Sequence, residues 1–223
     1  LRQLMNSDLA LKKAAIKPSK IICVGRNYHA HATELGNQVP KEPLLFLKPP
    51  SSVIRNGESI VIPHNVDEVH YEGEIGVMIG STGRYISAEN AWSVIGGIMA
   101  VNDVTARKIQ RDENQWFRGK GFDTFCPVGE VISVTEEDFE DLTVLTRVNG
   151  EERQRGSVSE MIFPLAFLIA YISKVVTLEK GDIVVTGTPA GVGSLFPGDR
   201  VEVEIEGKTV LQNQVIRESL HHD

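Results

Sequence analysis

Three groups of side chains in this sequence have types and spacings that could do chemistry. The first is acidic. His70-Tyr71-Glu72-Gly73-Glu74-Ile75-Gly76-Val77-Met78-Ile79 reads as a strand over Glu72–Ile79, and residues two apart on a strand face the same side. Glu72 and Glu74 therefore project together, roughly 7 Å apart along the backbone, while Ile75, Val77 and Ile79 turn to the opposite face as core. Two anions side by side on an apolar strand repel each other, so either water screens them or a cation sits between them. This stretch alone leaves both readings open.

A third carboxylate stands in Gly97-Ile98-Met99-Ala100-Val101-Asn102-Asp103-Val104-Thr105-Ala106-Arg107. A buried strand ends there at Asp103 and a short helix follows. Asp103 could cap that helix or pair with Arg107 four residues on. With Arg107 and Gln110 it would share one helical face, which also suits an acidic metal ligand beside a cation and an amide that hold a carboxylate substrate. Were Glu72, Glu74 and Asp103 to meet, an all-oxygen set without Cys or clustered His would select a hard cation, Mg2+ or Mn2+, over zinc. The spacing by itself does not join them.

The second group is His31 and Glu34, three residues apart, which meet on one face of a helical turn. Glu34 would orient the imidazole and stabilise its protonated form, so that His31 takes a proton near neutral pH. The plainer reading is a surface His beside a surface Glu. The third group is Lys120 and Thr188. Lys120, between Gly119 and Gly121, could set an ammonium near a developing oxyanion or be a solvated loop lysine. Thr188, in the glycine-rich Thr186–Gly193 loop, offers a hydroxyl and backbone N–H groups to a carboxylate. That loop has no Gly-Lys-Ser/Thr and no helical pattern after it, which excludes a nucleotide P-loop. Among other histidines, His64 reads as loop, His221 and His222 as tail, and His70 as either support for Glu72 or a core histidine.

The elements that must position these groups are mostly strands. Ile21–Val24, Leu44–Leu47, Ser59–Ile62, Glu72–Ile79, Gly97–Val101, Leu142–Val148, Asp182–Thr186 and Arg200–Ile205 all carry the pattern. Asn149-Gly150 marks a two-residue hairpin, and Glu206-Gly207 a similar turn. Gly181-Asp182 and Gly198-Asp199 each open a β run, a weak internal echo. Helices are expected over Ala88–Ser93, Thr105–Arg111, Pro164–Val175 with Pro164 in its first turn, and Asn27–Leu35 closed by Gly36. The expectation is one mixed α/β, predominantly β domain over residues 19–223, after a short N-terminal segment, 1–18.

Composition narrows the classes. With 223 residues, 41% hydrophobic and 24% charged, the chain can bury a core without disulfides. A net charge of −7 argues against a nucleic-acid surface. The longest apolar run, Met161–Ile172, is broken by Pro164 and falls short of the ~20 residues a membrane span needs. No signal-peptide pattern is read in Leu1–Ala15. Cys23 and Cys126 lie far apart in apolar contexts; they set up no disulfide framework and fit a reducing, cytoplasmic setting.

A series of strings then appears in order: Gly25-Arg26-Asn27-Tyr28, Pro43-Leu44-Leu45-Phe46-Leu47-Lys48-Pro49, His70-x-Glu72-x-Glu74-Ile75-Gly76 and Asn102-Asp103-Val104-Thr105-Ala106-Arg107. Lys120-x-Phe122-Asp123, Val148-Asn149-Gly150-Glu151 and Gly181-Asp182-Ile183-Val184-Val185-Thr186-Gly187-Thr188-Pro189-x-Gly191-Val192-Gly193 follow. From about Ile21 to Val215 the chain resembles the fumarylacetoacetate hydrolase family, in its short single-domain branch of acylpyruvate hydrolases and oxaloacetate decarboxylases. The resemblance implies a β-rich roll around a metal site, as a homodimer, with Mg2+ or Mn2+ held by Glu72, Glu74 and Asp103. It implies an active-site lysine at Lys120, a substrate-carboxylate contact at Thr188, and further polar contacts at Arg26 and Gln110. It also makes His31 and Glu34 the dyad on a segment that closes over substrate in hydrolytic members. The sequence departs from the family at Gly119 and Gly121, where relatives carry larger or hydroxylated residues, which would loosen the lysine's surroundings. Asn37-Gln38-Val39-Pro40 varies across the family and is expected at the distal end of the substrate.

The implied chemistry starts from a 2-oxo acid, whose carboxylate and carbonyl oxygens chelate a Lewis-acidic metal that stabilises an enolate. Water attacking an acyl carbonyl gives hydrolysis, loss of a β-carboxylate gives decarboxylation, and proton return gives tautomerisation. The first expectation is hydrolysis of acylpyruvates such as fumarylpyruvate, or decarboxylation of oxaloacetate. The alternative is an isomerase or tautomerase of oxaloacetate or of 2-hydroxyhepta-2,4-diene-1,7-dioate-type diacids. A non-catalytic, metal-dependent dicarboxylate binder stands third.

Overall fold

The structure is a computed structural model and describes residues 17–34 and 40–219, with residues 31–33 described by their backbone alone. Strands are numbered in chain order. The largest sheet has seven, in the order β2 (Leu44–Lys48), β1 (Ile21–Gly25), β12 (Ile183–Val185), β6 (Gly73–Ile79), β7 (Ile95–Asn102), β9 (Cys126–Val128) and β3 (Val53–Arg55). A second sheet has five: β11 (Glu151–Ser157), β10 (Thr143–Val148), β14 (Arg200–Ile205), β15 (Thr209–Arg217) and β4 (Ser59–Ile62). A small third sheet joins β13 (Gly193–Ser194), β5 (Val69–Tyr71) and β8 (Thr105–Ala106). The predominantly β, mixed class expected from the strand patterns is the one found.

The alternation that drove the strand assignments also builds the core. Ile75, Val77 and Ile79 are fully buried and share one apolar cluster with Val144 and Val203 of the five-stranded sheet and Leu168 and Ile172 of the helix Leu165–Val175. Pro164 is the N-cap of that helix rather than a member of its first turn. Asn149 and Gly150 both take positive φ, 54° and 84°, the geometry of a type I′ turn between β10 and β11. The two Gly-Asp turns repeat in three dimensions. Gly181 and Gly198 are left-handed, and Asp182 and Asp199 each accept from the N–H three residues back, Glu179 and Phe196.

Two of the expected helices begin later than their sequence pattern. The helix expected over Thr105–Arg111 begins only at Arg107, running Arg107–Asp112, because Thr105 and Ala106 pair with His70 and Val69 as β8. Long-range pairing overrides the local helical pattern there. The helix expected over Asn27–Leu35 spans His29–Glu34, and its proposed stop, Gly36, lies outside the described residues, as do Asn37, Gln38 and Val39. Cys23 and Cys126 are buried free thiols. No helix among the described residues is long and apolar enough to cross a membrane.

Candidate metal centre and active site

Glu72 sits at a crossing point. The strand expected over Glu72–Ile79 begins one residue later, at Gly73, as β6 of the large sheet, and Glu72 lies between it and β5, which belongs to the small sheet. Its backbone ties the two acidic stretches together. Glu72 N–H donates to Asn102 Oδ1 (3.0 Å), and its carbonyl accepts from Asp103 N–H (2.8 Å). Asp103 follows directly on β7, whose Asn102 is paired with Gly73. One oxygen from each of Glu72, Glu74 and Asp103 comes within 4.8 Å of the others, and all three residues are buried. Three hard oxygen donors in a water-poor setting fit a Mg2+-like cation and do not suit a soft one.

Cations surround these carboxylates on several sides. Lys120 Nζ, on the short helix Phe117–Lys120, reaches Glu72 Oε2 at 2.7 Å and also bonds Asp103 Oδ2. Arg107 Nη2 bonds Glu72 Oε1. Lys48 Nζ, at the end of β2, donates to Asp103 Oδ1 (2.6 Å) and to the Val104 carbonyl (3.1 Å). Glu74 instead accepts the Gly187 N–H at 2.5 Å. Burial, then repulsion from Asp103 and Glu72, holds the Glu74 carboxyl well above its usual range despite Lys120 and that N–H. Burial pulls the Lys120 ammonium down, but the charges of Asp103 and Glu72 outweigh it and leave its pKa raised.

Glu72, Glu74, Asp103, Arg107 and Lys120 line one cavity of about 480 Å3, which also takes in Arg26, Gln110 and Thr188. Arg26 holds a positive φ of 59°, costly for a residue with a side chain, and its guanidinium stands over the Trp116 ring at 5.7 Å. Gly25 allows this approach, since a Cβ there would lie 2.7 Å from the Trp116 ring. Arg107 Nη1 donates to Gln110 Oε1 at 3.0 Å, which leaves the Gln110 amide nitrogen as a donor. Arg107 Nε also donates to His70 Nδ1 at 3.3 Å. Burial, then the Arg107 charge, lowers the His70 pKa, in keeping with a neutral ring that accepts this bond. His70 thus supports Glu72 through Arg107.

Neither local role open to Asp103, helix cap or partner of Arg107, is the one found: the helix is capped at Ala106, Asp103 turns to Lys48 and Lys120, and Arg107 turns to Glu72. The glycines flanking Lys120 tighten its surroundings instead of loosening them. A Cβ on Gly119 would meet Gln110 at 2.7 Å, so the bare backbone lets the lysine's helix lie against the helix of Gln110. Thr188 lines the cavity, but its hydroxyl donates to the Gly73 carbonyl (2.9 Å) and accepts from Gln154 Nε2 (2.8 Å). Glu34 accepts the Gly191 N–H at 3.1 Å, tying its helix to the Thr186–Gly193 loop. The His31 side chain lies outside the described residues.

Sequence reasoning overlooked Lys48, Asn102, Trp116 and Gln154. Lys48 had a signal, a cation ending an apolar strand before Pro49. Gln154 had none, because a bulge at Thr146/Arg147 shifts the β10–β11 register and turns Gln154 inward opposite Thr146.

Most of the chain aligns with known proteins. The mitochondrial oxaloacetate tautomerase FAHD1 of Arabidopsis thaliana is 44% identical over 204 residues, covering 89% of this chain and 92% of that protein. The crystal structure of a 5-carboxymethyl-2-hydroxymuconate delta-isomerase from Mycobacterium smegmatis is 43% identical, with a TM-score of 0.85, covering 93% of this chain and 82% of its own. Fumarylpyruvate hydrolase from Pseudomonas aeruginosa, solved with Mn2+ and pyruvate, is 32% identical with a TM-score of 0.84, covering 90% and 91%. The model of the fumarylacetoacetate (FAA) hydrolase C-terminal domain matches residues 20–216, and on this footing the chain belongs to the fumarylacetoacetate hydrolase family.

Proposed function

We propose that this protein is a divalent-metal-dependent enzyme of small 2-oxo acids, with keto–enol tautomerisation of an oxaloacetate-like diacid as its main reaction. The observation that carries this reading is the convergence of three buried carboxylates within 4.8 Å on the wall of a cavity that also holds Arg26, Gln110 and Lys120. A cation held by Glu72, Glu74 and Asp103 would supply Lewis acidity toward the oxygens of a 2-oxo acid. Mg2+ or Mn2+ fits the donor set, and the Mn2+ and pyruvate of the Pseudomonas hydrolase support that choice.

The chain's own residues do the rest. Lys120 stays protonated between two carboxylates and presents a fixed positive charge to an oxygen that becomes anionic. Arg107 fixes Glu72 and orients Gln110, whose free amide nitrogen donates to the substrate carboxylate. Arg26 has no ion pair among the described residues and takes the second carboxylate of a diacid. Thr188 shapes the carboxylate-binding loop from within. His31, on the helix that Glu34 ties to Gly191, carries the proton.

His31 and Glu34, as the dyad the family resemblance implies, favour hydrolysis; relatives named for tautomerisation at 44% and 43% identity shift the weight. Hydrolysis of an acylpyruvate is the second reading, supported by the fumarylpyruvate hydrolase neighbour. We assign catalysis to residues 19–223 and carry forward a homodimer, which light scattering checks. The deciding experiment follows enol and keto oxaloacetate, acetylpyruvate and fumarylpyruvate with Mg2+, Mn2+ or EDTA. Metal-dependent loss of the enol oxaloacetate absorbance is expected, and undiminished turnover after exhaustive EDTA treatment would end the metal reading. His31→Ala should lose acylpyruvate hydrolysis while Mn2+ binding stays near normal.

A further inference from the structure

The glycine between the two glutamates is held by side chains at both its backbone polar groups. Gly73 N–H donates to Gln154 Oε1 at 2.9 Å, and the Gly73 carbonyl accepts from the Thr188 hydroxyl at 2.9 Å. Gln154 Nε2 closes the circuit by donating to Thr188 Oγ1 and to the Pro189 carbonyl, both at 2.8 Å. The bond directions are forced. A backbone N–H can only donate and the Pro189 carbonyl can only accept, so the amide has one usable orientation, and the hydroxyl proton must point at Gly73.

Gln154 is 2% exposed, and it reaches from the five-stranded sheet to the chain that carries both glutamates. The close approach needs Gly73, because a Cβ there would stand 1.9 Å from Thr146 Oγ1 and 3.3 Å from Gln154 Oε1. We propose that Gln154 is a positioning residue: its amide fixes the Gly73 peptide and thereby the directions in which Glu72 and Glu74 leave the backbone. The bulge that turns Gln154 inward is then what couples the β10–β11 hairpin to the acidic centre. This inference rests on the metal reading given above. A rigid carboxylate set binds a cation more tightly than one that must be ordered first, and partners one shell out typically change metal affinity by about 10–100-fold.

The test compares wild type, Gln154→Met and Val144→Ala. Met keeps the volume and removes all three hydrogen bonds. Val144→Ala weakens the core of the same hairpin without touching the circuit. Mn2+ affinity is measured by calorimetry, and Tm with and without Mn2+. Gln154→Met should bind Mn2+ at least about tenfold more weakly, and its Mn2+-induced rise in Tm should shrink. Val144→Ala should lower Tm in both conditions and leave Mn2+ affinity unchanged. Should Gln154→Met not fold, Thr188→Val breaks the same circuit from the loop and is expected to weaken Mn2+ binding likewise. Equal Mn2+ affinity in wild type and the circuit variant overturns the role of Gln154 alone, as does equal weakening in Val144→Ala. A wild type that binds no Mn2+ overturns this inference and the metal reading together.

Discussion

The sequence contains a second Glu-x-Glu on a strand, Glu202-Val203-Glu204 in β14, and it behaves in the opposite way to Glu72-Gly73-Glu74. In β14 the middle residue, Val203, is buried in the core, while the glutamates face outward and are partly exposed. Arg147 donates to Glu204 at 2.6 Å, and Arg200 lies 3.6 Å from Glu202. The hydrogen bond from Arg147 holds the Glu204 carboxyl below its usual range, whereas burial and like charge hold Glu74 well above. Local spacing is the same in both places. What differs is the residue between the acids and what packs over them. Val203 anchors one face and leaves the other to water, while Gly73 lets β10 and β11 close on the backbone and bury the acids with Lys48, Arg107 and Lys120.

The contrast should break first at the buried cations. Lys48→Met leaves Asp103 with one ammonium fewer at a site where both partners are about 1% exposed, and losing one partner of such a pair costs about 3–5 kcal/mol. Arg147→Met, the matching change beside Glu204, should cost no more than about 1 kcal/mol. Urea unfolding of both variants in EDTA checks this; equal losses would mean that the two acidic pairs are energetically alike.

Activity should separate the pairs next. Glu74→Gln should lower metal-dependent kcat/KM by about a hundredfold or more, roughly 2.7 kcal/mol, together with Mn2+ affinity. Glu204→Gln should leave both at wild-type values. An active, Mn2+-binding Glu74→Gln would remove Glu74 from the site.

The middle residue gives a smaller effect. Gly73→Ala drives a methyl into the Thr146 hydroxyl, and overpacking of this kind costs about 1–3 kcal/mol. Thr146→Ala removes the obstructing oxygen, so the double variant should be more stable than Gly73→Ala alone in the same unfolding experiment. Additive losses would show that the clash is not with Thr146.

The smallest effect is on the acid side of the stability profile. The folded-state pKa of Glu204 is depressed, so its contribution is complete above the ordinary glutamate pKa and disappears as pH falls through the folded value. Glu204→Gln should therefore leave stability less dependent on pH below about 4.5, by at most ~1 kcal/mol as for an exposed ion pair. An unchanged acid limb in the variant would show that the Arg147 bond adds nothing in solution.

Much of this was legible in one dimension. The period-2 runs gave the long strands, the Asn149-Gly150 turn fixed the hairpin, and ordered motifs carried the family and the carboxylates. The shortest strands were not legible. Thr105-Ala106 and Gly193-Ser194 are too brief to carry a period, and exist because Val69–Tyr71 lies beside both. Val69–Tyr71 escaped for the same reason: three residues are too few to carry a period of their own.

The residues alone determined which groups could do chemistry and which faces would be buried, because side-chain type and backbone period are local properties. Whether Glu72 and Glu74 meet Asp103 or water, which cations answer them, and that Gln154 points inward were decided only by packing between sheets. Glu202 and Glu204 carry the same local information and end at the surface. Pairing across long separations, a one-residue bulge and the missing side chain at Gly73 set that outcome, and none of their consequences can be read from neighbouring residues.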